Sequence, residues 1–141
     1  MNTHRILPSY HIPGRIRRVP IVGWPGLWHW GIEGWNLDLT GQPTMWHSIK
    51  GSAVRSTNYA KFSGGQLSEI LWTPSTYQQQ VSVLERIRSI EGLAWNLTTA
   101  NCEHVVRWAA EGNARSEQVE LGVAAGLFAG ILLLLAIGTR A

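Results

Sequence analysis

The chain holds one cysteine, Cys102, and five histidines, His4, His11, His29, His47 and His104. A thiol becomes a nucleophile when its surroundings favour the thiolate and a base that titrates near neutrality can carry its proton. Imidazole is the usual base. Asn101 is a good helix N-cap, so Cys102 falls in the first turn of a helix predicted from Cys102 to Glu111 and ended by Gly112. The unpaired N–H groups and positive dipole end of that turn favour a thiolate. Cys102, Val105, Val106 and Ala109 share one helical stripe, so the thiol faces the domain. His104 lies two residues on, roughly 200° around the helix, and points away. His4 and His11 belong to the N-terminal arm. His29 and His47 remain, each on a predicted strand, on strands that can be neighbours. One of the two would then act as base and the other would hold it in the right tautomer.

The elements that must position these groups follow from periodicity. Strands are predicted at Arg15–Val22, Trp28–Gly34, Thr44–Ile49, Val54–Phe62 and Gln66–Trp72, with a turn over Asn36–Pro43. In the second strand His29 and Gly31 share one face, and in the third Met45, His47 and Ile49 do so. Thr73-Pro74 reads as a helix start, Val81, Leu84, Ile87 and Ile90 recur on one face, and Gly92 closes the helix. A short strand, Ala94–Leu97, leads into the cysteine helix. The order is that of an α+β domain on a small antiparallel sheet.

Composition narrows the function classes. At 141 residues the chain holds one domain. A lone cysteine leaves no intramolecular disulfide and no cysteine-based zinc site, and the chemistry calls for no metal or cofactor. Arg5, Arg15, Arg17 and Arg18 place +4 near the N-terminus and leave the rest of the chain at −1. That is too little for a nucleic-acid face and suits a short basic arm beside an anionic membrane. Of eight tryptophans, five fall between Trp24 and Trp46, and most are expected in the core, with some lining an apolar cleft. Asn96-Leu97-Thr98 matches a glycosylation sequon and reads as chance.

The two ends differ. The N-terminal stretch lacks the apolar run of a signal peptide. Leu121–Gly138 carries no charge and, as a helix, would span roughly 27 Å, near the thickness of a bilayer core. The expectation is a single-pass, tail-anchored protein whose domain faces the cytosol. Its parts are a flexible basic arm (1–14), a catalytic domain (15–118) and a transmembrane anchor (119–141). Gly122, Gly126 and Gly130 form two overlapping G-x-x-x-G units that would let two copies pair as a homodimer.

The segment Trp95-Asn96-Leu97-Thr98-Thr99-Ala100-Asn101-Cys102-Glu103-His104-Val105-Val106 closely resembles the signature of the lecithin–retinol acyltransferase-like family, whose core is Asn-Cys-Glu-His followed by an apolar residue. The nearest likeness is to its small phospholipase A and acyltransferase (H-Ras-like suppressor) enzymes. His29-Trp30-Gly31-Ile32 resembles the family's histidine box, and Trp46-His47-Ser48 its second histidine. The likeness spans about residues 15 to 138. In two places the chain departs: the box continues Glu33-Gly34-Trp35, and the interval from His29 to His47 is longer than usual. The resemblance implies a circularly permuted papain-like domain of the NlpC type. It implies Cys102 as nucleophile, His29 as general base and acid, and His47 as the orienting third member. The implied activity is cleavage of glycerophospholipid acyl esters through a thioester, resolved by water, an amine or a lysolipid. The implied partner is a phospholipid membrane. Two other readings stand beside it: an NlpC-type cysteine amidase or peptidase, and a non-catalytic tail-anchored protein that remodels membranes.

Overall fold

The computed structural model describes residues 10–97 and 101–126. Five strands form one antiparallel sheet: β1 (Ile16–Pro20), β2 (Trp28–Leu37), β3 (Pro43–Ser48), β4 (Val54–Thr57) and β5 (Glu69–Trp72), in the order β4-β3-β2-β1-β5. Three helices accompany it: α1 (Tyr59–Ser63), α2 (Tyr77–Ser89) and α3 (Cys102–Glu111). The backbone is helical again over 117–126. The protein is thus an α+β domain on a small antiparallel sheet.

Alternation sorts the sheet into two unlike faces. Ile16 pairs with Ile32, and Ile32 with Trp46, on the face that α2 and α3 cover. The core there is aliphatic: Ile32, Val54, Val83, Ile87, Val106 and Ala109 are almost fully enclosed. The opposite face carries Val19, Met45 and Phe62, together with both strand histidines. Gly31 permits this second layer. A Cβ built there would lie 2.6 Å from Cε2 of Phe62. With hydrogen in its place, the Phe62 ring settles 5.3 Å from the His29 ring and 5.6 Å from the His47 ring, centroid to centroid.

Several expectations are corrected. The predicted strand Val54–Phe62 stops at Thr57 and gives way to α1. The Asn58 side chain accepts from Lys61 N–H at its start, and left-handed Gly64 closes it. Helix α2 begins later than Thr73-Pro74, capped by Thr76. Gln79 explains the choice: its N–H donates to the Thr76 hydroxyl, and its side chain accepts from Ser75 N–H. Val83 rather than Val81 completes the buried stripe of α2, and Ile90 caps its end. Isolated bridge positions at Ala94, which pairs with Ala53, and at Asn96 mark the expected strand Ala94–Leu97 in place of a continuous ladder.

The reading of the N-terminal arginines is revised for three of the four. Arg15 and Arg17 are buried and both pair with the fully enclosed Glu33. Arg18 pairs with Glu69 at 3.0 Å and lies over the Trp28 ring at 4.0 Å. These three cations hold the sheet together and are not offered to a membrane. The acid needed to neutralise them is Glu33, one of the residues that depart from the histidine-box pattern. His11 donates to Gly34 C=O at 2.9 Å. None of the eight tryptophans is fully buried, so they surround the aliphatic core rather than form it. His4, Arg5, Gly130 and most of the uncharged stretch Leu121–Gly138 lie outside the described residues. Among the described residues no helix is long and apolar enough to cross a membrane.

Candidate active site

Strands β1 and β3 end where β2 begins, and the start of α3 is brought to the same end of the sheet. A cavity of about 790 Å³ opens there, lined by Cys102, His29 and His47. The three residues singled out in the sequence therefore share one space. His104 does not line it. That imidazole is buried on the far side of α3 with its Nδ1 unpartnered.

Asn101 caps α3 as expected: its Oδ1 accepts from His104 N–H at 3.0 Å, and its Nδ2 donates to Leu97 C=O at 3.0 Å. Cys102 then occupies the first helical position. Its thiol donates to Trp28 C=O, with sulfur and oxygen 3.7 Å apart. The expected thiolate is not the resting state. Burial pushes the thiol up to about 11, although the Trp30, Glu103 and Cys102 backbones pull the other way. Burial likewise brings His29 down to about 4. Removal from water costs each charged form more than the helix terminus returns, so a neutral thiol and a neutral imidazole face the cavity near pH 7.

The histidines form a directional chain. His29 Nε2 and His47 Nδ1 are 2.7 Å apart, and His47 Nε2 is 2.7 Å from the Thr57 hydroxyl. That hydroxyl donates to Asn58 C=O at 3.2 Å. A hydroxyl that donates onward must accept from His47 Nε2–H, which leaves His47 Nδ1 as an acceptor. His29 Nε2–H then donates to it, and His29 Nδ1 is left with a free lone pair. Burial first, then the neighbouring His29 and Lys61, bring His47 down to about 3. Both rings are therefore neutral, as the chain requires.

Two residues went unnoticed in the sequence. Thr57 fixes the chain's direction; the sequence pattern predicts an unbroken strand through it, and the strand's end at Thr57 is what brings Asn58 C=O within reach. Gln118 ties the cysteine side to the histidine side. Its Oε1 accepts from Trp28 N–H at 2.8 Å, and its Nε2 donates to Trp28 C=O at 3.3 Å and to Glu103 at 3.1 Å. The enclosed Glu103 carboxylate also accepts from the Ser116 hydroxyl and from the N–H groups of Glu117 and Gln118, and it pairs with Arg107. Burial alone would raise this carboxyl, and those donors outweigh it and hold it below its ordinary value. Glu103 thus folds residues 116–118 against the start of α3, and Gln118 fixes the first residue of β2 beside the thiol.

The walls are mostly apolar. They include Ile21, Val22 and Leu27 of the turn between β1 and β2, where Gly23 and Gly26 take left-handed conformations. Val119, Gly122 and Val123, from the start of the helical stretch 117–126, supply another wall. Among the described residues no cluster of side chains could hold a metal ion. Compared with known protein families and with curated proteins, the chain gives no match.

Proposed function

We propose that the protein is a thiol acyltransferase and phospholipase acting on the acyl esters of glycerophospholipids, with Cys102 as nucleophile, His29 as general base and acid, and His47 as the orienting group. The observation that carries this reading is the chain from Thr57 through His47 to His29, which presents one unprotonated nitrogen to an apolar cavity shared with the only thiol. The lecithin–retinol acyltransferase-like signature around Cys102 supports it, and with it a permuted papain-like architecture. A tail anchor over Leu121–Gly138 would keep the domain at its substrate.

The resting groups are neutral, so proton transfer accompanies attack. The thiol leaves Trp28 C=O, its proton passes to His29 Nδ1, and its sulfur bonds to the ester carbonyl carbon. The imidazolium is held through Nε2–H by His47 and gives its new proton to the lysophospholipid oxygen as the ester C–O bond breaks. Water, an amine or a lysolipid then attacks the thioester carbonyl while His29 takes its proton, and as the C–S bond breaks His29 returns that proton to the Cys102 sulfur, restoring the neutral pair. The Cys102 backbone N–H, at the helix start, is a natural donor to the oxyanion.

The test is to incubate the full chain in detergent micelles with phospholipid and follow its mass. One acyl group should appear on the peptide spanning Asn101 to Arg107 and leave with neutral hydroxylamine. Cys102→Ala should show none. His29→Ala should slow acylation by about 10²- to 10⁴-fold, whereas His104→Ala should leave it near the parent rate. Peptide cleavage without lipid turnover would move the protein to the amidase class. Folded protein with neither activity would leave the membrane-remodelling reading.

A further inference from the structure

Charge is sparse around the cavity, and what there is has one sign. Among the described residues, Lys50 and Lys61 are the only permanently charged side chains in its lining, and no carboxylate joins them. They come from different elements: Lys50 lies two residues past the end of β3, the strand that carries His47, and Lys61 sits in α1, next to Phe62. Both are exposed, and among the described residues neither makes an ion pair, whereas Arg15, Arg17, Arg18 and Arg107 are all paired with carboxylates. Lys61 also acts electrostatically on His47, which places its charge near the reacting groups. An apolar cavity with two unneutralised ammonium groups in its wall matches a molecule with an acyl chain and an anionic head.

We propose that Lys50 and Lys61 form a headgroup subsite for the phosphate of an anionic amphiphile, so that the cavity selects phospholipids carrying net negative charge over zwitterionic ones. This rests on the lipid reading of the same site. In a zwitterionic lipid the choline or ethanolamine cation already sits beside the phosphate, and two lysines would meet that cation as well. In phosphatidylglycerol or phosphatidic acid the phosphate is free to take both ammonium groups while the acyl ester lies deeper, towards Cys102.

Binding and turnover separate the two ideas. Trp28 and Trp95 line the cavity and report occupancy by their fluorescence. The full chain carrying Cys102→Ala is titrated in neutral detergent with short-chain phosphatidylglycerol, with short-chain phosphatidylcholine, and with inorganic phosphate. Phosphatidylglycerol should bind about tenfold tighter than phosphatidylcholine, in line with one to two charge-assisted contacts near a solvent-open mouth. The double variant Lys50→Gln/Lys61→Gln should bring the two lipids to equal affinity while the chain still binds both. Inorganic phosphate should perturb the fluorescence only at far higher concentration, because it lacks the acyl chain. Equal affinity for the two lipids in the parent chain overturns the subsite, as does a preference that survives the double variant. So does phosphate competing as well as the anionic lipid, which would mark a simple anion site. If anionic lipid binds with the stated preference but no acyl-enzyme forms on Cys102, the subsite stands and the catalytic reading fails.

Discussion

The neutral state of the Cys102–His29 pair makes a specific claim about reactivity. An ion-paired thiolate would react with iodoacetamide at a rate already level below pH 6. With burial holding the thiol at about 11 and His29 at about 4, alkylation of the resting protein should be slow from pH 6 to 8 and climb steadily into the alkaline range. A plateau in the acid range would show a resting ion pair. Thr57 makes a second claim. Thr57→Val keeps the shape and removes the acceptor for His47 Nε2–H, so His47 is free to place its proton on Nδ1, where it opposes His29 Nε2–H. Acylation should fall by roughly tenfold, and Thr57→Ser should restore it. The 15N shifts of the two His47 nitrogens read the tautomer directly. Unchanged shifts in Thr57→Val would remove Thr57 from the chain of control.

At the level of elements, the same physics decided what could be read from the sequence. Helix α3 was legible because cap, stripe and stop agree: Asn101, then Cys102, Val105, Val106 and Ala109, then Gly112. The partner histidines were legible because strict alternation puts His29 and His47 on one sheet face. Thr57 was not, because a five-residue helix carries no period to detect and Tyr59 and Phe62 read as strand residues. Gln118 was not, because its bonds to Trp28 cross ninety positions of sequence. The pairing of Arg15 and Arg17 was not legible, because nothing local in the sequence reveals that Glu33 meets both. Gly31 lets the two layers meet. Gly31→Ala would drive a methyl into Phe62, and the ring can yield only by moving against His29 and His47. The expected cost is about 1–3 kcal/mol in thermal unfolding, with slower acylation as well. Adding Phe62→Leu should return part of the lost stability. If Gly31→Ala is neutral in both measurements, Phe62 does not hold the imidazoles.

The whole molecule should respond to acid through groups buried in neutral or specifically paired form. His29 and His47 are depressed in the folded chain, so below about pH 6.5 the unfolded chain gains protons that the folded one refuses. Glu103, also depressed, adds a loss once the pH falls through the carboxylate range. The unfolding temperature should thus be level above pH 6.5 and decline from there towards pH 4. In His29→Ala/His47→Ala the first part of that decline should flatten. A decline of the same steepness in that variant would assign the acid response elsewhere.

One feature of the cavity wall reaches beyond catalysis. Val119, Gly122 and Val123 wall the space around Cys102, and the last two stand at the start of the uncharged stretch Leu121–Gly138, which would continue into a bilayer. On the proposed lipid reading, address and selectivity would be written in one run of residues, and the tail would not be a detachable label. Replacing everything after Gly126 with another apolar span should send the protein to a different membrane with its lipid preference intact. Replacing everything after Gln118 should change which acyl chains it accepts, even on the original membrane. Equal chain-length profiles for the two exchanges would show that the tail specifies location alone.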